Sequence, residues 1–312
     1  MAQAKKATKK STKKAAKPAK SAAKPAKSAK SAAKAVKGSS ARGPRKARKG
    51  ADVAHFVCNV VPSSGTGQDW SYGDSVAAGA MRAARALPDG VDLRAPWWTI
   101  GNQETTGSCV GWATADGVIR WHLTSAGRIA NTQMLSPRYI WMASKETDQY
   151  TSRPESFIEE AGTSLKTALD VARKFGAALM EELPFHIATT MYSGSENTFY
   201  ASCAQRKIAS YFNLQKNLDN WKSWLASNGP LLVGLNVDRT WDDAAANGGL
   251  LDTFQPTTTR GGHAVCCVGY RSDGRFIIRN SWDTTWGDGG FGYASPAYIQ
   301  AGFFNEAYGV TL

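Results

Sequence analysis

Asn102-Gln103-Glu104-Thr105-Thr106-Gly107-Ser108-Cys109-Val110-Gly111-Trp112-Ala113 puts one cysteine at the start of an apolar helical run, with a glutamine six residues before it. A thiolate is the nucleophile of cysteine chemistry, and a helix N-terminus favours negative charge through its unpaired N–H groups and dipole. An acyl-transfer centre also needs donors for an oxyanion, and the Cys109 backbone N–H and the Gln103 amide are candidates. The same stretch reads as a buried structural cysteine beside a surface glutamine, because free cysteines are commonly inert and buried. The spacing of Trp112, Ile119 and Leu123 predicts a helix from Cys109 to Leu123, with Gly127 beyond its end. His122 lies too far along that helix to act as a base for Cys109 and reads as packing or surface.

Two downstream segments tip the balance. In Arg260-Gly261-Gly262-His263-Ala264-Val265-Cys266-Cys267-Val268-Gly269-Tyr270, His263 stands at the start of an apolar strand. In Phe276-Ile277-Ile278-Arg279-Asn280-Ser281-Trp282-Asp283-Thr284-Thr285-Trp286-Gly287, Asn280 ends another. A turn at Ser272-Asp273-Gly274 makes the two strands a hairpin able to hold an imidazole and an amide side by side. A nucleophile, a base and a group that orients the base are the three parts of nucleophilic catalysis.

Together these stretches resemble the papain-like cysteine peptidases. Gln103 matches the family's oxyanion glutamine, Cys109 its nucleophile, His263 its base, and Asn280 with Trp282 its Asn-Ser-Trp; Trp286-Gly287 matches the Trp-Gly that follows. Leu87-Pro88-Asp89-Gly90-Val91-Asp92-Leu93-Arg94 is similar to the family's mature start, and Glu181-Glu182-Leu183-Pro184-Phe185 to the segment crossing to the second lobe. The resemblance covers about residues 87–312. It implies an α+β, two-lobed papain-like fold, with a helical lobe carrying the nucleophile and an antiparallel sheet lobe carrying His263 and Asn280. It further implies Gly107, Ser108, Gly262 and Trp282 as substrate-binding positions, and a protein or peptide substrate. In the implied chemistry Cys109 and His263 form a thiolate–imidazolium pair, Asn280 fixes the ring, and Trp282 shields their bond. A peptide ligase or transamidase would use the same groups. A non-catalytic nucleic-acid-associated protein with a peptidase fold is the alternative from another class.

The chain departs from the family at three places. Thr106 stands where the family has a disulfide-forming cysteine, Val110 stands where a tryptophan usually follows the nucleophile, and the Cys109–His263 separation of 154 residues slightly exceeds the usual range of about 130–150. None removes a catalytic group, but they argue against the disulfide-stapled, secreted branch. The five cysteines are an odd number without a disulfide framework, which suits a reducing compartment. Adjacent Cys266 and Cys267 are expected on opposite faces of a strand, as packing groups. His55, His122, His186 and His263 lack metal-ligand spacing, so neither a metal nor a cofactor is expected.

Charge divides the chain. Residues 1–50 hold 15 Lys, 3 Arg and no acid, whereas residues 51–312 hold 20 basic residues against 25 acidic, a net of −5. The first segment, with a seven-residue repeat beginning at Lys17-Pro18-Ala19-Lys20, has almost no apolar side chain larger than alanine. It cannot build a core, is expected to be disordered, and resembles linker-histone tails. Lysines without aromatic residues neutralise phosphates but do not stack on bases, so the expected partner is nucleic acid or another polyanion, bound non-specifically. No apolar run is long enough for a transmembrane helix, and the N-terminus lacks the apolar core of a secretory signal.

Residues 51–86 read as a linker or short pro-segment: a short strand at 55–61, a loop at 63–67 and a short helix at 75–86. His55 reads as structural. Helices are predicted from Ser136, from Leu165 to Phe175, and from Asn217 to Leu225, with a polar loop over 145–161. Strands are predicted at 231–237, 263–270, 276–280 and 290–293.

Overall fold

The computed structural model describes residues 53–84, 86–147, 161–186 and 192–312. The basic tail and most of the predicted polar loop, residues 148–160, lie outside the described residues.

Side-chain caps set the helix starts. Ser71 accepts from the Asp74 N–H and opens α1 (Tyr72–Ala77). The helix predicted at 75–86 is therefore shifted towards the N-terminus, and the chain leaves it at Gly79, where φ is 74°. Strand β1 (Val91–Asp92) follows. Then α2 (Cys109–Gly111), a π-helical stretch at Trp112–Ile119 and α3 (Arg120–Ser125) run on as one rod. The predicted helix is thus real, but eight residues at its centre take the wider i→i+5 pitch, with the Arg120 N–H bonded to the Ala115 carbonyl. Two further helices complete this layer. They are α4 (Pro137–Thr147), entered through Ser136, and α5 (Leu165–Lys174), capped by Ser164. Next come α6 (Glu196–Ala204), β2 (Ser210–Asn213) and α7 (Leu218–Ser227), whose first turn is capped by Asn217.

The remaining chain builds most of the sheet: β3 (Leu231–Val237), β4 (Leu250–Leu251), β5 (Gly261–Tyr270), β6 (Phe276–Arg279), β7 (Phe291–Ala294), then α8 (Pro296–Gly302) and β8 (Phe303–Thr311). The strand order is β2-β8-β3-β5-β6-β7-β4, with β1 added along β5. Every pairing is antiparallel except β4 with β7. The predicted hairpin is β5–β6, in which Cys266 faces Arg279 and Tyr270 faces Phe276. Residues 55–61 form no ladder strand: a turn closed by the Phe56 N–H on the Val53 carbonyl leads into irregular chain instead.

The sheet is apolar on both faces, as a layer covered on each side must be. One face, through Leu232, Ala264, Cys266 and Val268, meets Cys109, Val110, Val118 and Ile119 of the helical layer. The other, through Val233, Val265, Cys267 and Ile278, meets Trp221, Trp224, Trp241 and Trp286. Cys266 and Cys267 divide between the two faces as the alternation of a strand requires, and all five cysteines are free.

Candidate active site

Cys109 is the first residue of α2 and is fully buried. Its sulfur lies against the backbone N–H of Ala264, so the start of this helix abuts β5 one residue past His263. The fold thereby brings together two positions far apart in sequence, one from the helical layer and one from the sheet.

His263 is fixed from behind. Its Nε2 lies 2.8 Å from Asn280 Oδ1, which also accepts from the Ser281 N–H at 2.8 Å. Two hydrogen bonds to the same oxygen define the orientation of the Asn280 amide. They also make Nε2 the donor, so the neutral ring carries a lone pair on Nδ1, and Nδ1 has no partner among the described residues. Trp282 lies tilted against the ring with centroids 4.8 Å apart, and Trp241 meets it edge-on at 5.5 Å. All of these side chains are buried, so the imidazole–amide bond is kept from water.

Gln103 is held as tightly. Its Oε1 accepts from Ser281 Oγ and from Trp282 Nε1, each at 3.1 Å, and its backbone N–H donates to the Ser281 carbonyl. The amide nitrogen is thereby turned the other way. It donates to the Thr106 carbonyl and to the Val57 carbonyl, each at 3.0 Å. Ser108 spends its hydroxyl on Thr106 Oγ1 at 2.6 Å, and Gly107 is buried beside it.

Val57 belongs to a strap that runs between the two layers. Phe56 stacks flat on Trp282, centroids 4.8 Å apart and planes 2° apart. The Val60 N–H donates to the Gly262 carbonyl at 2.9 Å, and the Val61 N–H donates to Thr163 at 3.2 Å. Glycines on both walls admit it. A Cβ would come within 1.9 Å of the Asn59 carbonyl oxygen at Gly162, within 2.1 Å of Cys58 O at Gly261, and within 2.5 Å of Val60 O at Gly262. Arg260 anchors the entry by donating to the Val53 and Phe56 carbonyls, and Ser63 anchors the exit by donating its N–H to Glu306. Of the expected substrate-binding positions, Gly262 and Trp282 carry strap residues, whereas Gly107 and Ser108 form the enclosed turn that leads into the nucleophile.

Burial bears on the charge states of both groups. Desolvation pushes the Cys109 thiol up to about 11 despite nearby backbone N–H groups, and lowers His263 to about 4 despite its bond to Asn280. In this closed arrangement burial disfavours the charged form of both groups and so works against the expected ion pair. Burial also raises Cys58, near Cys109, to about 12. His55 is exposed and rests on Phe56, while His122 is buried near the end of α3 and lowered to about 4. The sequence reading left open whether the N-terminal segment covers the cleft. It also missed Trp241, which sits 22 residues before His263 and becomes its neighbour only when β3 pairs with β5.

A helical layer that presents a cysteine at a helix start, packed on an antiparallel sheet that presents a histidine and an asparagine, defines the architecture of papain-type enzymes. The sequence profile described as papain family cysteine protease matches residues 87–308, and the chain belongs to that family. An uncharacterised peptidase C1-like protein of Acanthamoeba polyphaga mimivirus is 24% identical over 200 residues, covering 61% of this chain and 62% of the relative. A cathepsin L-like proteinase of Fasciola hepatica is 22% identical over 213 residues, covering 66% of this chain and 60% of the relative. The chain thus spans about three fifths of the length of these curated relatives. Among solved structures, xylellain, a cysteine protease from Xylella fastidiosa, superposes with a TM-score of 0.66 at 21% identity, over 86% of this chain and 99% of that one. Digestive procathepsin L2 of Tenebrio molitor larval midgut gives 0.61 at 18% identity, over 83% and 79%. At these identities the two structures share the fold with this chain.

Proposed function

We propose that the chain is a cysteine peptidase held latent by its own residues 53–63. The observation that carries the reading is the 3.0 Å bond from Gln103 Nε2 to a peptide carbonyl, that of Val57. The amide that the family resemblance assigns to the oxyanion is already holding a carbonyl oxygen in the cleft.

With the strap displaced, water reaches the site, and the desolvation that keeps Cys109 and His263 neutral is relieved. The thiol proton then passes to His263 Nδ1. The thiolate attacks a peptide carbonyl carbon, and the oxyanion is received by Gln103 Nε2 and the Cys109 N–H. The carbon–nitrogen bond breaks as His263 returns its proton to the leaving amine, which leaves a thioester on Cys109. Water, deprotonated by the same imidazole, hydrolyses it. Asn280 keeps the ring in the tautomer that makes both transfers possible. An amine in place of that water would give ligation through the same intermediate.

Incubating the full chain with denatured proteins and sequencing the N-termini of the fragments tests this. Fragments from the wild-type chain and none from Cys109→Ala are expected, together with new chain ends within residues 1–86. Equal fragmentation by Cys109→Ala ends the assignment. Adding an amine acceptor and weighing the products separates transfer from hydrolysis.

The tail is proposed to bind nucleic acid or another polyanion, on the strength of its 18 positive charges in 50 residues without an acid. Gel shift of DNA by the full chain but not by residues 51–312, lost steeply as salt rises, is the expected result. Equal shifts by both, or none at low salt, refute it.

A further inference from the structure

Asp116 lies on the π-helical stretch, seven residues beyond Cys109, and is completely buried. Its Oδ2 accepts from Arg279 Nη2 at 2.6 Å, and its Oδ1 from Arg120 Nη1 at 2.7 Å. Its backbone carbonyl accepts from Trp98 Nε1 at 2.6 Å. The Arg279 guanidinium sits 4.8 Å from the centroid of Trp98, and Nη2 also donates to the Thr99 carbonyl at 2.6 Å. Arg279 is the residue before Asn280, and Thr99 lies four residues before Gln103. One carboxylate and one guanidinium therefore join three separate segments, those that carry Gln103, Cys109 and Asn280.

We propose that Asp116 and Arg279 are positioning residues for the reaction, setting the Asn280 amide behind His263 and keeping the helix start and the sheet in register. The inference rests on the peptidase reading above. Its physical basis is the directness of the link. Arg279 ends β6, so the buried ion pair fixes the peptide from which the Asn280 side chain departs, and Asn280 in turn holds the imidazole. A charge-assisted bond between fully buried groups holds its geometry more stiffly than a neutral one. The wider pitch of the helix occurs in the turn that carries the carboxylate, and π-helical turns are frequent at functional positions. The two arginines differ in what they reach. Arg120 is one helical turn from Asp116 on the same rod and otherwise donates to the Trp97 and Asn131 carbonyls. Only Arg279 belongs to the segment carrying Asn280.

That difference supplies the test. Removing Asp116 strands two buried cations and risks unfolding, whereas removing either arginine leaves a balanced pair. Arg279→Met, Arg279→Lys and Arg120→Met are made in the full chain and checked by thermal melting. Peptide hydrolysis and the pH profile of Cys109 alkylation by iodoacetamide are then measured after release of residues 1–63. Arg279→Met is expected to fold, to lose about ten-fold or more in kcat with KM within about two-fold, and to shift the alkylation profile, since small misplacements of catalytic groups cost rate. Arg279→Lys is expected to recover part of kcat, and Arg120→Met to keep kcat within about three-fold. Equal kcat losses in Arg120→Met and Arg279→Met mark a merely structural cluster and overturn the inference. So does a folded Arg279→Met with wild-type kcat and an unchanged profile. A wild-type chain still inert to peptide after its residues 1–63 are released refutes the peptidase reading itself, so the two failures are distinguishable.

Discussion

The proposed catalytic frame and the strap across it are held by different kinds of contact. In the frame, Gln103, His263, Asn280 and Trp282 are buried and bond to one another through side chains, over 2.8–3.1 Å. In the strap, the hydrogen bonds run through backbone N–H and carbonyl groups, and only Val53, Phe56 and Val60 of residues 53–63 are buried, while Ala54, His55 and Pro62 face solvent. Loss of one frame contact leaves a polar group stranded in a dry interior. Loss of one strap contact returns the freed groups to water, where they find new partners at little net cost. The difference teaches that one part is built to stay and the other to leave, although both meet at Gln103.

The largest effect comes from the frame. Once residues 1–63 are removed, Cys109→Ala is expected to reduce peptide hydrolysis by more than 1000-fold, because it deletes the atom that forms the thioester. Gln103→Ala removes the proposed oxyanion donor, typically about 2.7–4 kcal/mol, so kcat/KM should fall by roughly 100-fold to 1000-fold. It also removes the partner of Val57 in the closed chain. A rise in Cys109 alkylation of the full-length variant, alongside the fall in turnover, would show the two roles of that amide in one protein. A variant that keeps full turnover would sever the link between frame and strap.

Acid sharpens the contrast. Burial lowers His263 and His122 to about 4, against 6.5 for a free imidazole. Between those values the unfolded chain binds protons that the closed chain refuses. The stability conferred by each neutral ring is therefore present above pH 6.5 and is lost as pH falls, by about 3 kcal/mol per imidazole once pH is below 4. Thermal melts between pH 7 and pH 4 should show a falling midpoint, and His263→Leu should remove about half of the fall. A midpoint independent of pH would mean that the rings are already hydrated.

The motifs of the candidate site were legible in the sequence because each of them is local. Cys109 precedes an apolar helical run, and His263 and Asn280 flank a hairpin whose turn residues are explicit. The predicted β5–β6 pairing followed from the Ser272-Asp273-Gly274 turn, and the opposed Cys266 and Cys267 from strand alternation. What was not legible depends on partners distant in the chain. β8 was not anticipated, because it follows α8 without an intervening turn signal. Asp116 reads as a polar residue on a helix until Arg279 arrives across the sheet. The π-helical pitch of Trp112–Ile119 has no periodic signature distinct from an α-helix over so few turns. The strap was misread as a strand for the same reason. Whether an apolar run such as His55–Val61 pairs with a ladder or lies in a groove depends on glycines about 100 and 200 residues away, at Gly162, Gly261 and Gly262.

The smallest effect bears on the strap alone and decides whether it acts as a removable cover. Phe56→Ala deletes the ring stacked on Trp282 but leaves the Gln103–Val57 and Val60–Gly262 bonds and the core beneath them. An aromatic pair of this kind contributes about 0.5–1.5 kcal/mol beyond its buried area. Burying the ring itself contributes about 1.5–3 kcal/mol more, so opening of the strap should become about ten-fold or more as frequent, with the melting midpoint of the domain nearly unchanged. Alkylation of Cys109 in the closed chain measures this directly, because only an open chain admits the reagent. A reaction faster by about ten-fold or more with an unchanged midpoint places the ring's contribution in the strap. A lowered midpoint with no faster alkylation would assign Phe56 to the core, and the strap would then be part of the folded body rather than a cover over it.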